Sequence, residues 1–264
     1  MHRATGTSDR KRIPRVSFNT LGVCSIEING VVQSAIPSSY FRIAAYLLLS
    51  GARMMMSRQR LGSFFWPEAD PEKASANLRQ SLVRIRRFQD ENNFQLIGSN
   101  FTLVYLTPES VDWDLRDFLD ALESDDEGAL TRACELYGGE LLADIGGSSV
   151  EFEEWLSEQR ERLRSPFIEK LTAALQDEAA LSPAERGPCA RKLLTLDPCN
   201  EQAFQTLMTE AAEQGDLARL QHLFERCERQ LMNEFGVGIS SDTRGLYSEL
   251  ARNLHAHTPR SGSS

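Results

Sequence analysis

Short apolar runs separated by Asn-Gly and Gly-Ser-Asn turns over residues 16–106, three helical periodicities between them, and further helical periodicities from residue 112 onward predict a mainly α chain with a small β component. Strands, three helices and a closing hairpin make a winged helix-turn-helix domain. The remainder reads as an all-α, tetratricopeptide-like helical repeat domain. With 264 residues, 41% hydrophobic and 25% charged, the chain has the composition of a globular protein of one large or two modest domains.

Residues 1–13 are polar and basic and are expected to form a flexible arm. Residues 16–28 alternate imperfectly, as one or two strands. Asn29-Gly30 is a strong hairpin signal, and residues 31–36 can return as the partner strand. Ser38 or Ser39 can cap a helix whose Ile43, Tyr46, Leu47 and Leu49 recur at helical spacing until Gly51 stops it. Ser57 caps a second helix over 58–65, broken by Pro67 and Pro71. A third runs from Glu72 to about Gln89, with Ala74, Leu78, Leu82, Ile85 and Phe88 as its buried stripe. Residues 94–97 and 101–106 then pair around Gly98-Ser99-Asn100, closing a head over 14–107.

From residue 112 to 255 candidate helices run over 114–124, 127–142, 150–180, 183–196, 200–214, 217–234 and 241–255, with tight turns at Asp197-Pro198 and Gly215-Asp216. Their pairing at about 30 to 35 residues, with Ala203, Ala211 and Ala212 where helices must approach, suggests the repeat architecture. Residues 256–264 are expected to be a disordered tail.

The longest apolar run, residues 43–49, is far short of the ~20 needed to cross a bilayer, and the N-terminus has no apolar signal core, so a cytoplasmic protein off the membrane is expected. Cys24, Cys134, Cys189, Cys199 and Cys227 are odd in number and contain no C-x-x-C pair; they read as buried free thiols, with neither a disulfide framework nor a metal site. Phosphate-cradle and hydrolase motifs are missing, and His222 stands alone on a helix while His2, His255 and His257 lie near the termini. Acidic runs such as 125–127 and 151–154 read as solvated helix starts. An enzyme therefore has no support, and neither catalytic residues nor a cofactor are expected.

The net charge of −9 averages two unlike parts. Residues 1–107 hold 14 of the 29 Lys and Arg but 7 of the 38 Asp and Glu, a formal +7; the rest, with 15 against 31, carries −16. A polyanion-binding head on an acidic body follows. On the third helix Asn77, Gln80, Arg84 and Arg87 form an outer stripe, flanked by Arg79 and Arg86, with no acid from residue 73 to 89. Solvated helix faces ordinarily mix signs. Arg, Asn and Gln are the side chains suited to guanine and adenine edges, so the stripe is expected to read bases of double-stranded DNA. Arg42, Arg58, Arg79 and Arg86, at helix starts or beside the stripe, are expected to hold phosphates.

Residues 60–88 contain Trp66-Pro67, Ala74-Ser-Ala-Asn-Leu-Arg79 and Ile85-Arg86-Arg87. In these motifs the sequence closely resembles the DNA-binding head of the SARP-type bacterial transcriptional activators. The second half is similar to the bacterial transcriptional activator domain that follows this head, in residues 133–142, Glu154-Trp155 with residues 160–163, Leu196-Asp197-Pro198, residues 201–208 and 234–237. The resemblance spans about residues 14–254. It implies a sequence-specific DNA-binding regulator, an activator that recruits RNA polymerase. Exposed Glu68, Asp70 and Glu72, which would repel DNA, are the implied polymerase contact. It also implies a homodimer on directly repeated half-sites about 10 to 11 base pairs apart. Family members often continue into a nucleotide-hydrolysing domain or added repeats; with neither here, and no receiver domain, a two-domain factor is expected. The wing, residues 99–103, lacks the Arg common beside its aromatic residue. The alternative is a helical-repeat interaction scaffold whose head has lost DNA binding.

Overall fold

A computed structural model describes residues 14–147 and 149–257. The expected basic arm and the end of the chain from residue 258 lie outside them. The chain divides into two compact units: one holds residues through Asp120 together with Leu136–Arg160, the other Ala121–Glu135 and the chain from Glu161 on.

In the first unit β1 (Val16–Asn19) pairs antiparallel with β2 (Ser25–Ile28), which pairs with a short β3 (Val31–Val32). The turn at Asn29-Gly30 is left-handed at both residues, as the sequence suggests. The return strand is shorter than expected because the chain leaves the sheet at Ala35, where φ is +58°, and enters helix α1 (Ser38–Ser50) through Pro37. Pro37, not Ser38 or Ser39, occupies the cap position, and it makes no side-chain cap bond. Then come β4 (Met55–Ser57), α2 (Arg58–Phe65) and α3 (Pro71–Asn92). Ser57 caps α2 by accepting from the Arg60 amide, as expected. The third helix starts at Pro71, one residue before the expected Glu72: Asp70 caps it by accepting from Lys73 N, and a proline in the first turn lacks only an amide that would have no partner there.

The closing hairpin is β5 (Ile97–Ser99) and β6 (Leu103–Leu106), with β4 on the other side of β6, an edge that the sequence did not announce. Gly98, read as a turn residue, is a strand residue facing Tyr105, whose ring occupies the space a Cβ would need. The turn moves to residues 100–102, where the Asn100 carboxamide accepts from the amides of Thr102 and Leu103. After a 3-10 turn at Pro108–Ser110, β7 (Asp112–Trp113) pairs parallel with β1, giving the order β3-β2-β1-β7.

Phe18 is central to this unit's core, its ring 5.1 to 5.3 Å from those of Tyr40, Phe41 and Trp113. Helix α4 (Asp114–Glu123) starts at a half-buried carboxylate that accepts from the amides of Thr20, Leu21 and Leu115; desolvation raises the Asp114 pKa despite those donors. Helix α5 (Ala129–Leu136) ends short of the expected 142 because Gly138 and Gly139 lead the chain back against Gly22. A Cβ on Gly138 would lie 2.7 Å from the Leu21 carbonyl oxygen, so only glycine permits this approach. Leu141 bridges Leu21, and Leu142 N donates to Thr20 O. Trp155 donates to Ser50 Oγ and joins Tyr46, Phe64 and Phe152 in an aromatic cluster.

Among its described residues the second unit consists of helices and their connections, with no strand. Helix α5 (Ala129–Leu136), the later part of α6 (Val150–Gln176), α7 (Pro183–Leu196), α8 (Glu201–Glu213), α9 (Leu217–Phe235) and α10 (Ser241–His257) follow one another with short connections, so the last helix extends past the expected 255. Ala203 and Ala211 are buried on α8 and Ala212 half-buried; α8 packs on α7, α9 and α10. Glu201 locks α10 by accepting from Ser240 N and the Thr243 hydroxyl. Cys134, Cys189 and Cys227 are buried thiols as expected, whereas Cys24 and Cys199 are only half-buried. His222 is on the exposed face of α9. Among the described residues no helix is long and apolar enough to span a membrane, and no group of metal-binding side chains occurs.

Candidate nucleic-acid interface

The interface is built on α3. Residues 74, 78, 81, 82, 85, 88 and 89 are buried, and at about 100° per residue they fill one arc of the helix. The opposite ridge carries Ala76, Gln80, Val83 and Arg87, all exposed. Arg84 and Asn77 stand on one flank of this ridge, Arg79 and Arg86 on the other. Gln80, Arg84 and Arg79 are exposed and have no hydrogen-bond or ion-pair partner among the described residues. Asn77 is half-buried and lines a hollow of about 410 Å³ with Phe65, Trp66, Lys73 and Val150, so it lies nearer the helix's packed edge than the other three.

Acids do follow the stripe, one turn beyond it. Arg87 Nε lies 2.8 Å from Glu91, which raises the Arg87 pKa further, and Arg86 Nε lies 3.6 Å from Asp90. All four side chains are largely exposed, so these are weak pairs that a phosphate or guanine can replace.

The other two arginines have internal work. Arg42, half-buried, donates to Ser38 Oγ and to the Gly146 carbonyl; burial lowers its pKa, with Glu153 opposing. Arg58 donates to the carbonyl of Asn100, and its amide to that of Thr102, so it fastens the wing tip to the start of α2. A guanidinium has five N–H groups, and one bond leaves the others available.

Glu68, Asp70 and Glu72 are all exposed in the loop and first turn that lead into α3. Asp70 is also the α3 cap. Trp66 is half-buried, its ring 6.0 Å from Phe65. Two candidate contacts escaped the sequence reading. Phe101 is wholly exposed at the wing tip, and Val83 is 62% exposed on the central ridge. Their common signal was position: an aromatic inside a polar turn, and an apolar residue at i+3 from Gln80.

Residues 121–251 match the model of the Bacterial transcriptional activator domain family. Among solved structures the chain is similar to Mycobacterium tuberculosis EmbR in complex with low affinity phosphopeptide, with a TM-score of 0.55 and 18% sequence identity. The likeness covers 91% of this chain and 66% of that one, so the chain spans just under two thirds of the EmbR chain; at this identity it is the fold that is shared. No curated protein matches in sequence. A winged-helix head joined to a bacterial transcriptional activator domain defines the class: a bacterial transcription regulator. Within the chain, residues 121–251 belong to the Bacterial transcriptional activator domain family.

Proposed function

We propose that this chain binds specific double-stranded DNA through α3 and activates transcription by recruiting RNA polymerase. The observation that carries the reading is the unpaired Gln80, Arg84 and Arg79 on the exposed face of a helix followed by a hairpin wing, in the +7 part of the chain. Asn77, Gln80, Arg84 and Arg87 read bases, with Arg87 exchanging Glu91 for the groove. Arg79 and Arg86 hold phosphates; Arg42 and Arg58 add phosphate contacts with their remaining N–H groups. The head spans residues 14–107. The body, residues 112–255, joins two protomers on DNA or recruits a partner, and its excess of acids keeps it off the duplex.

Titrating the intact chain against a duplex it selects from a random pool, at several salt concentrations, tests this. Each neutralised phosphate adds about −0.9 to the slope of log affinity against log salt, so about four contacts give roughly −4. A slope near zero, with no preference over scrambled duplex, supports the scaffold reading instead.

Glu68, Asp70 and Glu72 form the polymerase contact in this proposal. Asp70 caps α3, so reversing its charge confounds folding with recruitment, and the clean test is Glu68→Lys with Glu72→Lys. The double variant is expected to bind the selected duplex at least as well as the parent while supporting several-fold less transcription in a purified system. Unchanged transcription removes these residues from the contact.

A further inference from the structure

We infer that Val83 reads the C5-methyl group of a thymine in the major groove, an inference that rests on the DNA-binding reading above. Single exposed apolar residues are common on protein surfaces and ordinarily carry no meaning. Val83 is distinguished by what surrounds it. It lies on the ridge opposite the buried arc of α3, at i+3 from Gln80 and i−4 from Arg87, with Arg79 and Arg86 beside it on one flank and Arg84 on the other. Every long side chain around it is polar or cationic, so no apolar neighbour on its own helix shelters its methyls, and it is left 62% exposed.

On the major-groove edge of DNA the thymine methyl is the apolar group among hydrogen-bond donors and acceptors. An apolar knob ringed by donors and an apolar methyl ringed by acceptors are complementary. Valine suits the task because its branched Cβ holds χ1 in essentially one rotamer on a helix, so its methyls are presented with little entropy left to lose. Gln80 and Arg87 are seven residues apart, about 10 Å along the axis, or roughly three base-pair steps. The thymine read by Val83 therefore lies within one or two steps of the bases read by those two.

The test uses the intact chain and a duplex it selects from a random pool. Each thymine is replaced in turn by deoxyuridine, which removes the methyl and nothing else, and affinity is measured for the parent and for Val83→Ala. The residue is exposed and alanine is the stronger helix former, so the variant folds. One replacement is expected to weaken the parent about fourfold, the worth of one buried methyl, and to leave Val83→Ala unaffected at that same position. If no replacement distinguishes the parent from Val83→Ala, the inference is overturned while specific DNA binding stands. If the pool yields no specific duplex, the DNA-binding reading fails and takes this inference with it.

Discussion

Replacing Gln89 with leucine is expected to destabilise the first unit by about 4 kcal/mol. Gln89 is 3% exposed on the last full turn of α3, and every polar atom of its amide is used. Its Oε1 accepts from the Tyr40 hydroxyl at 2.7 Å and from the amides of Leu96 and Ile97 at 2.8 Å; its Nε2 donates to the Ile97 carbonyl at 3.0 Å. Leucine fits the volume but leaves two amides, a hydroxyl and the Ile97 carbonyl without their partner, at roughly 1 to 3 kcal/mol for each orphaned group, partly offset by added apolar burial. Trp66, Trp113 and Trp155 all belong to this unit, so tryptophan fluorescence in a urea titration reports it directly. A change below about 1 kcal/mol would show that the network can be dispensed with.

Gln89→Glu gives the same prediction a pH axis. Only a protonated glutamate can both accept from the two amides and donate to the Ile97 carbonyl, and burial raises the pKa of a carboxyl above its unfolded value near 4.3. The network is then intact below the unfolded value and is lost as pH rises through the raised folded value, so this variant should become less stable toward neutral pH relative to the parent. A variant as stable at pH 7 as at pH 4, measured against the parent at each pH, contradicts this. Function is engaged as well, because Gln89 joins α3 to α1 and to the start of β5, and so sets where the wing stands relative to the helix.

The second large effect is on recognition. Changing Gln80 and Arg84 together to alanine is expected to weaken binding to the selected duplex by about 4 kcal/mol, close to a thousandfold, since one bidentate base contact is worth about 1 to 3 kcal/mol. Neither side chain has an internal partner among the described residues, so the urea midpoint should not move. Scrambled duplex should be affected far less. Equal losses on both duplexes would make these residues phosphate clamps and leave the base reading to Arg87 and Asn77.

Much of the architecture is legible in the sequence, for identifiable reasons. Apolar residues at 74, 78, 82, 85 and 88 have one helical solution, and α3 adopts it. Ser57 caps α2 and Asn29-Gly30 makes the hairpin because those local conformations depend on a few adjacent residues. Misreadings arose where a distant group decided. Gly98 has the local pattern of a turn but is a strand residue because the Tyr105 ring lies across it, and β4 and β7 are too short, at three and two residues, to leave a periodic pattern. Residues 127–142 carry helical periodicity, yet the helix ends at Leu136 because Gly138 meets the Leu21 backbone.

The candidate interface divides in the same way. Sequence alone determined which residue types cluster on one side of α3 and that the positive charge collects ahead of residue 107, since helical spacing and composition need no partner to be read. Only the tertiary structure decided what each of those side chains is free to do. Arg42 and Arg58 are engaged with the carbonyls of Gly146 and Asn100, Asp70 is engaged as a cap, and Asn77 is drawn toward the packed edge, whereas Gln80, Arg84 and Val83 are left facing outward. Tertiary structure also decided that residues 136–160 pack with the head's unit, through Gly22, Ser50 and Tyr46. The physical reason is that a hydrogen bond or ring contact between residues about a hundred positions apart in sequence, such as Trp155 to Ser50, depends on where folding brings both groups and leaves no mark on the local pattern around either.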